Sequence, residues 1–227
     1  MTNNDAAYAR VHRIPMGLAP GYLVENPEGL VLVDAGSIHQ ESRIMDAMQR
    51  LGRDDLRLIF ITHAHLDHYG SAAALRALTS APIAVHRLDG KPMANGQSPI
   101  GSAHHWQGQA LQILMDALGP VLQPRPTHPD ILLEDGDDLL QFGLEATVVH
   151  TPGHTFGSAT LLLEGQVAFV GDLLSNTGHP HVQQYLAQDW TALQRSVQVI
   201  QALRPEWTYT GHSHQPLSLP EVQRLHT

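Results

Sequence analysis

Cysteine is absent from the 227 residues, which excludes disulfides and thiolate metal ligands. Long apolar runs are missing as well, because none approaches the ~20 residues that a membrane-spanning helix needs. The N-terminal stretch lacks the basic segment and following apolar segment that mark a signal peptide. We therefore expect a cytoplasmic protein without a membrane partner.

Basic residues are also scarce: 13 Lys and Arg stand against 22 Asp and Glu, which gives a formal net charge of −9. Proteins that bind nucleic acid neutralise phosphates with Lys and Arg, so this balance argues against such a partner. A chain of this length with 42% hydrophobic residues can bury a large core. We expect a single domain over residues 1–227 with a small-molecule substrate, and nothing in the sequence indicates the oligomeric state.

Histidine, in contrast, is abundant, with sixteen in the chain. His63, His65, Asp67 and His68 lie within six residues and follow the apolar run 58–61, which is typical of a buried strand. Alternation along an extended segment places His63 and His65 on the same side. His68 breaks this period and can join them only if the chain turns. Imidazole and carboxylate groups at such a junction predict a metal site, with zinc as the natural occupant.

Three further ligand-type residues directly follow a glycine. They are His154, Asp172 and His212, in the sequences Thr-Pro-Gly-His-Thr, Gly-Asp and Gly-His. Each lies at or just after the end of a predicted strand, where sites are commonly assembled on a rigid scaffold. Glycine there permits a sharp turn and a close approach of the backbone.

Hydrophobic patterning and turn residues predict clusters of strands separated by a few helices, which indicates two sheets with outer helices. The predicted strands cover residues 8–14, 22–25, 29–34, 57–61, 82–86, 131–133, 139–142, 144–149, 158–163, 167–170 and 207–210. The predicted helices cover residues 38–51, 70–79, 104–118, 189–203 and 220–226. The proline-containing stretch at about 87–130 is either a lid over a site or a plain connection.

These motifs together resemble the metallo-β-lactamase superfamily. The HxHxDH signature matches residues 63–68, TPGHTxGS matches residues 151–158, and the later Gly-Asp and Gly-His pairs follow in family order. The resemblance covers roughly residues 11–216. It implies an α+β fold, namely an αββα sandwich of two facing mixed β-sheets with outer helices and metals at one edge.

The resemblance also implies a division of ligands between two divalent ions, most simply zinc, with manganese or iron as alternatives. His63, His65 and His154 would hold the first ion. Asp67, His68 and His212 would hold the second, and Asp172 would bridge them. A metal-bridging hydroxide would then attack the substrate. Asp67 is the candidate for passing a proton to the leaving group.

The branches of the superfamily differ in ways that the sequence can test. True β-lactamases of the family generally lack the bridging aspartate that Asp172 supplies. Glyoxalase II-like thioesterases and persulfide dioxygenases usually carry a GCGR-type segment after Gly-Asp, whereas residues 173–176 are Leu-Leu-Ser-Asn. Our leading prediction is a dinuclear hydrolase of a small ester, thioester or lactone. The alternatives are a mononuclear iron oxidoreductase like the persulfide dioxygenases, a glyoxalase II-like thioesterase, and a non-catalytic family member.

Several other residues near the motifs are candidates for substrate contact, and the sequence leaves each of them open. They are Tyr69, His179, His181, Tyr185 and His214.

Overall fold

The structure is a computed structural model that describes residues 10–103, 105–118 and 123–226. The first half of the chain forms a six-stranded sheet whose spatial order follows the sequence. Its strands are β1 (Arg10–Ile14), β2 (Gly21–Asn26), β3 (Gly29–Val33), β4 (Leu56–Ile61), β5 (Ile83–His86) and β6 (Ile131–Leu133). The first three strands pair antiparallel, and β3 to β6 pair parallel.

The second half supplies eight shorter strands. They are β7 (Ala146–His150), β8 (Ala159–Leu163), β9 (Val167–Phe169), β10 (Leu174–Asn176), β11 (His181–Val182), β12 (Trp207–Tyr209), β13 (His212–Ser213) and β14 (Leu217–Ser218). Five of them form a mixed sheet in the order β14-β12-β9-β8-β7, and β11-β10-β13 form a small third sheet.

The helices lie mainly at the outer faces of the two large sheets. They are α1 (Glu41–Leu51), α2 (Leu66–Tyr69), α3 (Ala72–Thr79), α4 (Arg87–Ala94), α5 (Trp106–Leu118), α6 (Trp190–Leu203) and α7 (Leu219–Gln223). None of the helices in the described residues is long and apolar enough to cross a lipid bilayer.

Strand β3 shows why the sheets become inner layers, because its side chains are buried on both faces. Leu30 and Leu32 pack in a cluster that includes residues of α1 and α3. Val31 and Val33 pack in a second cluster shared with β7, β8 and β9 of the facing sheet. A third cluster joins the far face of that sheet to α6 and α7. The predicted αββα sandwich is therefore confirmed.

Local predictions are confirmed where the signal is itself local. The strands predicted at 158–163 and 167–170 are present as β8 and β9, which pair as an antiparallel hairpin. Helix α6 begins after Asp189, whose carboxylate accepts the backbone N–H of Ala192 at 2.9 Å as an N-cap. Residues 8 and 9 of the first predicted strand and residue 104 of a predicted helix lie outside the described residues.

One local prediction is wrong, and one helix was not predicted. The predicted strand at 139–142 is a 3₁₀ turn, Leu140–Phe142, that Gly143 ends in a left-handed conformation. The chain crosses between the sheets here, since Asp138 already bridges to Thr147 of β7, and no hairpin forms. Helix α4 was not predicted because Pro92 signals a helix break, but the helix ends only two residues later.

We expect Phe60→Ala to lower the free energy of unfolding by about 3–5 kcal/mol, because Phe60 is fully buried between the two sheets. Denaturant titration measures this change. Leu78→Ala is the control, since Leu78 is 59% exposed and should give a far smaller loss. Equal losses in the two variants would contradict the layered packing.

A buried histidine makes stability depend on pH. His86 ends β5 and stacks on His150 at the end of β7, with ring centroids 4.0 Å apart. Burial and the neighbouring His150 lower the pKa of His86 to about 4. As pH falls below 6.5, the unfolded chain takes up this proton first, so the free energy of unfolding falls until pH reaches about 4.

Each such histidine contributes up to about 1.4 kcal/mol per pH unit within that window. Chemical denaturation between pH 4 and 7 should therefore show a shallower pH dependence for His86→Gln than for the unchanged protein. Parallel curves would show that His86 does not carry this effect.

Candidate metal centre

The seven ligand-type residues identified in the sequence lie together at one edge of the sandwich. They come from the loop and helix α2 that follow β4, from the segments that follow β7 and β9, and from the start of β13. Two groups form, each with its candidate ligand atoms within 4.8 Å of one another. The first contains His63, His65, His154 and Asp172, and the second contains Asp67, His68 and His212.

The chain changes from extended to helical within the motif, which is the turn that would let His68 join the other histidines. His65 is the last extended residue, with φ −103° and ψ 150°, and α2 begins at Leu66. His63 and His65 therefore precede the helix, while Asp67 and His68 lie on it. This change of conformation divides the motif between the two groups.

All three glycines that precede ligands are required by space, and a Cβ at Gly153 would collide with the Leu193 backbone. Gly171 has φ 52°, and a Cβ there would lie 2.7 Å from the Thr62 hydroxyl. A Cβ at Gly211 would collide with the Asp172 carboxylate. Any larger residue would push the loops that carry Asp172 and His212 apart.

Backbone carbonyl oxygens fix the ring orientation of three histidines. The bonds run from His65 Nε2 to Pro99 at 2.8 Å, from His154 Nδ1 to Leu186 at 3.0 Å, and from His212 Nδ1 to Leu18 at 3.0 Å. Because a carbonyl oxygen only accepts, each bonded nitrogen carries the hydrogen. The other nitrogen of each neutral ring keeps its lone pair for the centre.

Asp34 fixes the two remaining rings and was missed by the sequence analysis. Its carboxylate accepts His68 Nδ1–H at 2.8 Å and the Thr62 hydroxyl at 2.9 Å. The Thr62 oxygen is then free to accept His63 Nδ1–H at 3.1 Å. The only sequence signal was the position of Asp34 directly after β3, in a turn of the type Asp-Ala-Gly-Ser.

The free nitrogens converge on one another. His154 Nε2 and His63 Nε2 lie 2.9 Å and 3.1 Å from His65 Nδ1. Such lone pairs repel unless a cation lies among them. His68 Nε2 and Asp172 Oδ1 are buried, 3.3 Å apart, and without a hydrogen-bond partner. These orphaned atoms and the nitrogen and oxygen donor set fit a divalent metal.

Asp172 connects the two groups electrostatically. Its Oδ2 lies 3.2 Å from His212 Nε2 and 3.4 Å from His154 Nε2. Burial acts to raise the pKa of Asp172, but His212 and His68 hold that pKa well below its ordinary value. Asp172 in turn raises the pKa of His212 to about 9. Asp172 is therefore an anion that contacts histidines of both groups.

Asp89, at the start of α4, joins two ligand-bearing loops and was also missed. Its buried carboxylate accepts from Ala64 N–H at 2.7 Å, Thr155 hydroxyl at 2.8 Å and Gly157 N–H at 2.9 Å. Ala64 lies between two ligands, and Thr155 follows His154. A Cβ at Gly157 would collide with Asp89. The sequence offered no signal, because Asp89 lies in the proline-containing stretch at about 87–130, which was predicted to be a lid or a plain connection.

A pocket of about 330 Å³ opens over the centre. His181 and Tyr185 line it, whereas His179 lines a neighbouring cavity of about 450 Å³. Tyr69 is fully buried and donates its hydroxyl hydrogen to the Gln97 carbonyl oxygen at 2.8 Å. His214 is not among the described lining residues of either cavity.

An αββα sandwich with histidine and aspartate groups at one edge defines a class of metal-binding enzymes. The chain belongs to the metallo-beta-lactamase superfamily, whose family model matches residues 17–212. A probable metallo-hydrolase, YflN of Bacillus subtilis, is 27% identical over 89% of this chain and 83% of its own. These relationships and the ligand groups together support a metal-dependent hydrolase.

Other relatives are longer or more distant. A hydroxyacylglutathione hydrolase of Aeromonas hydrophila is 28% identical over 69% of this chain and 47% of its own, so the chain spans about half of that relative. The solved BLEG-1 B3 metallo-beta-lactamase superposes with a TM-score of 0.73 at 23% identity, covering 93% of this chain and 95% of that one. At this identity the match shows the fold alone.

We expect Asp89→Asn to weaken zinc binding by about 10–100-fold, the usual cost of losing a partner that orients ligands. The asparagine side chain replaces one carboxylate oxygen with an NH₂ group. That group would face backbone or hydroxyl donors that need an acceptor. Competition with a chromophoric chelator measures the affinity. Asp137→Asn is the control, because Asp137 accepts the backbone N–H of Glu134 on an exposed turn. Unchanged affinity in Asp89→Asn would contradict its positioning role.

Proposed function

We propose that this protein is a dinuclear metal-dependent hydrolase that acts on a small ester, thioester or lactone. The observation that carries the proposal is the pair of ligand groups joined by Asp172 at the base of a pocket. If only one ion bound, at the first group, the second group of Asp67, His68 and His212 would hold no metal. The small-molecule size of the pocket supports a substrate of matching size.

The donor atoms suggest the assignment of ligands. In this proposal His63, His65 and His154 hold one ion, and Asp67, His68 and His212 hold the other, while Asp172 belongs to both. Zinc suits these nitrogen and oxygen donors best, and manganese or iron are the alternatives. Two such ions, when bound, would supply an activated water near neutral pH and a Lewis acid for the substrate carbonyl.

The chain's own side chains would orient the centre and move a proton. Asp67 lines the pocket, and its Oδ2 lies 3.5 Å from His212 Nε2. From this position its carboxylate can hold a proton at one oxygen and pass it to the leaving group. Asp34 and Asp89 hold the histidine-bearing loops from behind, out of reach of the substrate.

The segment at about 87–130 reaches the centre, which supports its proposed role as a lid. The Ser98 hydroxyl accepts the backbone N–H of Leu66 at 3.1 Å, and the Pro99 carbonyl oxygen accepts from His65. Ile100 lines the pocket. This part of the segment therefore covers one side of the candidate ligands.

The decisive experiment combines metal analysis with a substrate panel. We expect close to two metal ions per chain and turnover of at least one lactone, ester or thioester in a panel that also contains β-lactams and phosphodiesters. One iron per chain with oxygen consumption would overturn the hydrolase proposal in favour of a mononuclear oxidoreductase. Full occupancy without turnover of any carbonyl substrate would also overturn it.

Asp172→Ala should lower metal content from two ions towards one and reduce turnover by more than about 10²-fold. This expectation follows because losing even an outer-shell partner of a metal ligand costs about 10–100-fold. Mass spectrometry of the metals and steady-state kinetics on the same sample measure both effects. Asp54→Ala, at an exposed site, is the control. Two retained ions with unchanged turnover would remove the shared role of Asp172.

A further inference from the structure

We infer that the substrate is a neutral molecule with an apolar acyl group, and that the pocket discriminates against substrates that carry a carboxylate. This inference rests on the proposed hydrolase function and names its substrate class. The pocket walls, and not the candidate ligands, would set this preference.

The walls above the centre are largely apolar. Leu18, Leu66, Ile100, Leu174, Tyr185 and Leu186 line the pocket together with uncharged polar side chains. Leu18 is 70% exposed and sits at the rim, beside His212, whose Nδ1 it holds through its carbonyl oxygen. When an apolar ligand covers an exposed leucine at the mouth of a pocket, apolar surface leaves water and binding becomes more favourable.

No lysine or arginine is among the described residues that line this pocket. Outside the two ligand groups, His181 is the only described lining residue that can carry a positive charge. Its Nδ1 already donates to the His179 carbonyl oxygen at 2.8 Å. A buried carboxylate is held best by a paired cation, and the donors that the walls offer besides His181, such as Ser98, Thr177 and Gln183, are all uncharged.

The centre itself does not compensate for this lack. The carboxylates Asp34, Asp67 and Asp172 lie within or directly behind the ligand groups. They offset most of the charge that two divalent ions would bring. A substrate carboxylate held away from the centre would therefore gain little attraction there.

Among the described residues, Arg224 is the one lysine or arginine that lines the neighbouring cavity, which shares His181 and Gln183 with the pocket. A carboxylate tail that crossed this shared wall could reach Arg224. The test must therefore separate a neutral preference from an anionic tail bound at Arg224.

The experiment compares two thioesters with the same acyl group, S-octanoyl-N-acetylcysteamine, which is neutral, and S-octanoylglutathione, which carries carboxylates. We expect kcat/KM for the neutral thioester to be higher by at least about tenfold, because an unpaired carboxylate loses solvation in the pocket. Lengthening the acyl chain from butanoyl to octanoyl should raise kcat/KM by up to about fourfold per methylene that is buried.

Three variants and one control locate the effect. Leu18→Ser should flatten the chain-length dependence, whereas the control Leu78→Ser, which removes a leucine on α3 that is 59% exposed, should not. Gln183→Arg should raise the relative activity on the glutathione thioester. Arg224→Gln should leave kcat/KM unchanged for both thioesters. Calorimetry of octanamide binding to the metal-free protein should show weaker binding for Leu18→Ser.

The outcomes distinguish the inference from the proposed function. Hydrolysis of neither thioester, nor of any lactone or simple ester, would overturn the hydrolase proposal. Equal or better hydrolysis of the glutathione thioester would overturn the inference alone. So would loss of the glutathione activity in Arg224→Gln, since it would show that an anionic tail binds there.

Discussion

The convergence of imidazole lone pairs on a shared point is the constraint on which the rest of this structure depends. Oxygen acceptors behind the rings set every orientation: carbonyl groups for three histidines, Asp34 for His68, and the Thr62 hydroxyl for His63. Without a cation this arrangement is repulsive, and the fold must hold it in place. Rigidity at this edge of the sandwich is therefore a requirement rather than a by-product of packing.

The two sheets provide that rigidity because each contributes to both groups of candidate ligands. His63 and His68 belong to the loop and helix after β4, in the first sheet, whereas His154 and His212 follow β7 and β12 of the second. The apolar layer between the sheets fixes their separation. Asp89 then joins the loops directly, so the spacing of the first group does not rely on packing alone.

The residues that could be predicted from the sequence are those whose signal is local. Histidines and aspartates after strands and glycines identified all seven residues of the two groups, and alternation identified most strands. Asp34 and Asp89 could not be found in this way, because their partners lie 25 to 68 residues away and their side chains have no periodic signature. The turn at Leu140–Phe142 was missed for a related reason, since the path of the chain between sheets overrides local preference there. Helix α4 was missed because Pro92 lies within it.

Leu18 contacts both the pocket and a candidate metal ligand, which limits how the proposed substrate preference can change during evolution. Its side chain faces the mouth of the pocket, while its backbone oxygen holds the ring of His212. A point substitution alters the first and spares the second. An insertion or deletion between β1 and β2 would displace both. We therefore expect the loop between β1 and β2 to vary by substitution at constant length. Substrate preference could then change while the position of His212 is kept.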